Sequence, residues 1–175
     1  MVLPYKLLVA TYAMALRMLT TAPVDFKPLD VISGSDTQIE QARVMLVGDS
    51  AKWRQLWNDH KGARNLSSGG ASPPIVQVVE TAPRLDFKDV MVIAIFAGQT
   101  SGVAGYQVVD ADGKGSEAIL RLRPVRSPST GTGIVTTPYA LVLVPRIKKP
   151  ISVYLDAGTR RPVWKLMASF AAPKE

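Results

Sequence analysis

The chain has 175 residues, 47% apolar and 20% charged, with 13 Gly, 13 Pro, one histidine and no cysteine. That length and apolar fraction suit one domain with a real core, and exclude a disordered chain. The missing cysteines exclude disulfide staples, thiolate zinc sites, iron–sulfur clusters and cysteine nucleophiles, and a single His excludes a multi-His metal site within one chain.

The net charge of +7 is unevenly spread: residues 1–113 carry 10 Lys/Arg against 11 Asp/Glu, and residues 114–175 carry 11 against 3. The basic excess therefore lies wholly in the last third. Such asymmetry marks either a solvated face that keeps the chain dispersed or a surface for an acidic partner, a nucleic acid or a membrane.

In chain order, Met1–Thr21 holds an early Lys6, an apolar run Leu7–Leu16 and the small-x-small site Ala13-Met14-Ala15. Residues 1–22 thus read as a signal peptide, which implies export, or as an amphipathic N-terminal helix. Arg17 breaks the run short of the roughly 20 residues a span needs, so no transmembrane helix is expected. Residues 23–36 mix Pro, Asp, Gly and Ser and read as a linker. Residues 37–170 are expected to form a single domain.

Within it, Ile39–Val47 is predicted as a strand and Ala51–His60 as a helix, since Trp53, Leu56, Trp57 and His60 recur at i, i+3, i+4 and i+7. Asp49 or Ser50 supplies its cap. Lys61–Pro74 is a Gly/Ser/Pro-rich loop. Val90–Ala97 has the length and unbroken apolarity of a strand buried on both faces. Gly98–Gly105 reads as a loop, Tyr106–Val109 and Ser116–Leu122 as a hairpin around DADGKG, and Pro124–Thr137 as a second long loop. Tyr139–Val144 and Ile151–Leu155 are further strands joined by the basic segment Pro145–Pro150, with Val163–Phe170 as an edge strand. Strands outnumber helices without βαβ alternation, so the fold class is α+β: a mostly antiparallel sheet with one main amphipathic helix packed on it.

Motifs for chemistry are sparse. Gly48-Asp49-Ser50-Ala51-Lys52 lacks the second glycine of a nucleophile elbow. His60 closes a Trp-bearing helix, where an imidazole packs on indoles or bonds carbonyls; a hydrolase built on it would need a nucleophile beside it. Asp110, Asp112 and Glu117 resemble part of a calcium loop but sit between strands, so a hairpin turn is expected and no metal site. Gly98, Gly102 and Gly105 follow a strong strand, yet a strand pattern comes next, and without a helix N-terminus there is no dinucleotide site. No cofactor and no catalytic residue is assigned. The loop from the strongest strand is the expected partner-facing site, through Gly98, Gln99, Thr100, Gly102, Gly105 and Tyr106. A basic surface is expected from Arg121, Arg123, Arg146, Lys148, Lys149, Arg160 and Arg161, extended by Arg126 and Lys165 into one stripe if their strands are neighbours. Aromatics among them are few: Tyr139, Tyr154 and Trp164.

Three ordered pieces resemble the C-terminal domain of the protease complex subunit PrcB family. They are QARVMLVGDSAKWRQLWNDH (Gln41–His60), LDFKD leading into VMVIAIFAGQTSGVAGYQVV, and TTPYALV followed by PRIKKP. The loop departs from the family's compact T-G-G-Y at Val103 and Ala104, and Ile75–Arg84 reads as an insertion. The resemblance implies an exported, non-enzymatic interaction module that is an accessory or stabilising subunit of a protease-type complex, with a protein as partner. The alternative is a basic module for an acidic polymer or nucleic acid, or a structural protein that assembles into homo-oligomers through exposed strand edges.

Overall fold

The computed structural model describes residues 25–61, 81–127, 135–158 and 160–173. It is an α+β fold of ten strands and one helix among those residues, arranged in three layers. The first sheet joins β1 (Asp30–Gly34), β8 (Tyr139–Pro145), β3 (Val90–Phe96) and β2 (Arg43–Val47) in that order, all antiparallel. The second joins β10 (Trp164–Phe170), β9 (Ile151–Asp156), β6 (Ala118–Arg126) and β5 (Val103–Asp112). A short ladder pairs β4 (Thr100–Ser101) with β7 (Val135–Thr136). The helix α1 (Ser50–Lys61) covers the outer face of the first sheet.

The period of two along β3 explains the layering. Met91, Ile93 and Ile95 point into a core shared with the second sheet, where Leu120, Leu122, Ile151 and Val153 meet them. Val92, Ala94 and Phe96 point the other way, beneath Trp53, Leu56 and Trp57 of α1. A strand with an apolar row on each face is stable only when both faces are covered, and each Val, Ile, Met or Phe side chain in those rows contributes roughly 1.5–3 kcal/mol on burial. Asp49 starts α1 by accepting the Lys52 backbone N–H at 2.8 Å, a bond that also lowers its pKa.

The structure alters several sequence expectations. Part of the expected linker, residues 30–34, is the edge strand β1, because ladder pairing with β8 and the packing of half-buried Val31 against the core outweigh its turn-prone composition. The strand expected from Ile39 starts only at Arg43; Ile39 is buried, but outside the ladder. The expected loop 98–105 contains β4 and the first residues of β5, and the hairpin strands reach beyond 106–109 and 116–122 to Val103 and Arg126. The second expected loop is strand at its start and at Val135–Thr136; residues 128–134 lie outside the described set. Among the named strands of the described residues one pair is parallel, β6 with β9, since the chain leaves the second sheet after β6, adds β8 to the first, and returns. The N-terminal segment 1–22 and most of Lys61–Pro74 lie outside the described residues, as does Ile75–Glu80 of the expected insertion. Among the described residues no helix is long and apolar enough to cross a membrane.

Candidate functional site

The six expected loop residues divide between scaffold and surface. Tyr106 is 6% exposed and belongs to the inter-sheet core rather than to the exposed surface of the loop, and burial pushes its phenol pKa up. Its backbone N–H donates to Ser33 Oγ at 2.7 Å, and that hydroxyl donates to the Tyr139 carbonyl at 3.0 Å, which ties β5 to the edge of the first sheet. Gly98 and Gly105 have φ of +74° and +146°, and a Cβ would stand 2.7 Å from the Glu40 carbonyl oxygen at the first and 2.5 Å from Ser33 Oγ at the second. Gly98 is glycine because neighbouring backbone passes too close for a side chain, and Gly105 because the Ser33 hydroxyl does, each at a φ that L residues rarely adopt. Gln99 is exposed, and Thr100 and Gly102 are partly so.

The basic residues do not form one stripe. Arg146, Lys148 and Lys149 lie in the turn from β8 to β9, at the end of the second sheet where β9 begins. Arg146 donates to the carbonyls of Gly48 and Phe87 at 3.2 and 3.1 Å, and Lys149 to those of Gly113 and Gly115 at 2.6 and 2.9 Å. These two cations hold turns together. Arg121 pairs with Asp110 across the β5–β6 ladder at 2.5 Å, so Asp110 is spent on a cross-strand ion pair. Glu117 accepts from Ser152, and Asp112 accepts the Lys114 N–H within the turn. Among the described residues no three acidic or imidazole groups cluster to hold a metal.

At the opposite end of the sheet a different set converges. Arg123 and Arg126 near the end of β6, with Arg160 and Arg161 after β9, line a cleft of about 600 Å³ together with Pro162 and Asp156. The parallel register makes this meeting, because β6 and β9 then end side by side. Asp156 is 5% exposed. Its Oδ1 accepts the backbone N–H groups of Val163 and Gly158, each at 2.9 Å, and its Oδ2 accepts Arg123 Nε at 2.9 Å. Those three bonds, the two backbone donors foremost, hold its carboxyl below the usual range near 3.8. The one carboxylate in the cleft wall among the described residues thus already has a partner on each oxygen. Arg126, Arg160 and Arg161 are exposed and make no ion pair among the described residues.

The surface part of the glycine loop lies at this same end: Val103 pairs with Arg126, and the Ser127 N–H donates to the Gly102 carbonyl at 3.1 Å. Sequence reasoning singled out Arg123, Arg160 and Arg161 without the reason for their meeting. It had no signal for Asp156, whose role depends on a partner 33 residues away.

His60 is 1% exposed, with Nδ1 2.8 Å from Thr37 Oγ1 and ring centroids of Tyr139, Trp57 and Phe96 at 4.2, 5.7 and 6.2 Å. The imidazole fills the joint between α1 and the first sheet, and Tyr139, expected among the basic residues, is buried there with it. No family model, no curated protein and no solved structure matches this chain.

Proposed function

We propose that this chain is a binding module rather than an enzyme, and that it holds an anionic group of its partner in the cleft of Arg123, Arg126, Arg160 and Arg161. The observation that carries the reading is the imbalance of charge there. Four guanidiniums line a cavity whose one carboxylate among the described residues already accepts two backbone N–H groups and Arg123. A guanidinium presents a rigid fork of donors that matches carboxylate and phosphate oxygens two at a time, so three unpaired forks around one cavity favour a multivalent anion. The glycine loop reaches this end through Gly102, whose carbonyl accepts the Ser127 N–H, and through Val103, which pairs with Arg126.

The test is titration of the full chain with polyphosphate at low salt, by calorimetry, beside the variant carrying Arg126→Ala, Arg160→Ala and Arg161→Ala. All three side chains are exposed, so the variant is expected to keep its fold and lose tenfold or more in affinity. Equal affinity of the folded variant and the parent would overturn the reading, as would the absence of any binding by the parent.

A further inference from the structure

We infer that the anion is the backbone of a single-stranded nucleic acid, whose bases stack on the outer face of the second sheet, which the described residues leave open, beside the arginine cleft. The inference rests on the reading of the cleft as an anion site and adds the class of ligand.

One face of the second sheet is open among the described residues. Along β6 the residues Ala118, Leu120 and Leu122 are core, so Ile119, Arg121, Arg123 and Val125 face outward. Along β9 the inward residues are Ile151, Val153 and Leu155, and Ser152, Tyr154 and Asp156 face outward. The register sets Arg121 opposite Tyr154, Trp164 opposite Asp156, and Leu166 opposite Tyr154. No helix among the described residues covers this face; α1 lies on the other sheet. It therefore presents Arg121, Tyr154, Trp164 and Leu166 together, with Leu166 50% and Val125 43% exposed.

The aromatic patch and the arginine cleft are continuous. Trp164 follows Pro162 of the cleft wall by two residues and pairs with Asp156, the carboxylate that holds Arg123. The Arg121 guanidinium stands 5.9 Å from the Trp164 ring centroid, which fixes the indole's place on the face. A ligand running off the cleft thus meets unpaired arginines first and partly exposed flat rings next.

That order selects among polyanions. A bare inorganic chain uses the cleft and leaves the rings idle, whereas an acidic peptide offers carboxylates but few planar groups. Single-stranded nucleic acid alternates phosphates with π-faces, which is what a basic groove leading to stacking side chains accommodates. The cationic lining of the cleft is all arginine, the residue type suited to bidentate phosphate contact and to stacking.

The test uses the full chain, a fluorescein-labelled oligothymidylate of 20 nucleotides read by anisotropy, and polyphosphate as the base-free control. Trp164 is half-buried while Trp53 and Trp57 are buried, so stacking should also quench tryptophan emission in the parent. Trp164→Ala is expected to weaken the oligonucleotide about tenfold and leave polyphosphate unchanged, with Trp164→Phe restoring most of the affinity. Should the alanine variant misfold, absence of quenching in the parent at saturating oligonucleotide overturns the proposal. Equal effects of Trp164→Ala on both ligands, or an acidic peptide that displaces the oligonucleotide at lower concentration, overturn it too and leave the anion cleft standing. Failure of polyphosphate to bind the parent removes the cleft reading itself.

Discussion

Gly98 and Gly102 sit four residues apart, both with φ near +70°, yet they carry different loads. At Gly98 a Cβ meets the backbone of Glu40 and Ala42, which cannot move without shifting β2, whereas at Gly102 nothing lies within 4 Å. Gly102→Ala is therefore expected to cost about 1 kcal/mol, the left-handed backbone penalty alone, and Gly98→Ala about 3 kcal/mol. Urea midpoints of the two variants check the difference; equal losses would mean that the Glu40 contact is not what requires glycine at 98. The same contrast explains why residue type alone does not divide this loop into scaffold and surface. Glycine in sequence signals freedom of the backbone, but only the neighbouring chain tells whether that freedom serves a close approach or an open surface. Tyr106 illustrates it again: its composition suits a binding loop, and its register on β5 turns it into the core.

Elements show which parts of the sequence were legible. The helix was readable because Trp53, Leu56, Trp57 and His60 repeat with the helical period, and all four are buried. The central strand was readable because seven apolar residues in succession need two covered faces. The edge strand β1 was not, since it contributes few buried residues and is held mainly by backbone bonds to β8, over a hundred residues later. Nor was the join between β9 and β10, which depends on Asp156. Because its pKa is lowered in the fold, Asp156 contributes stability that is fully present above its ordinary value near 3.8 and is lost as pH falls through the lower folded value. Acidification below that range is thus expected to loosen the Gly158 and Val163 amides in hydrogen exchange before the core opens. Asp156→Asn should show the same loosening at neutral pH and no further step on acidification; an Asn variant whose amides stay protected would show that the carboxylate charge does not hold this join.

For the whole molecule, the basic excess of the last third divides into two populations with different duties. Arg146 and Lys149 bond backbone carbonyls at one end of the second sheet, while Arg126, Arg160 and Arg161 stay unpaired among the described residues at the other. Salt should separate them. Three phosphate contacts on a single strand give a slope of about −2 in the logarithm of affinity against that of salt, which the triple arginine variant flattens. Lys149→Ala, by contrast, is expected to lower stability by about 1 kcal/mol while leaving that slope unchanged; a slope that falls in Lys149→Ala would show that the two ends act as one surface. By itself the sequence determined the fold class, the amphipathic helix, the doubly buried strand and the absence of cysteine or multi-histidine chemistry, because these follow from composition and from periods of 2 and 3.6 within short windows. Only the tertiary structure decided which cations are satisfied. The partners of Arg123 and Lys149 lie 33 and 36 residues away, and a parallel pairing of β6 with β9 brings the unpaired arginines to one end of the sheet.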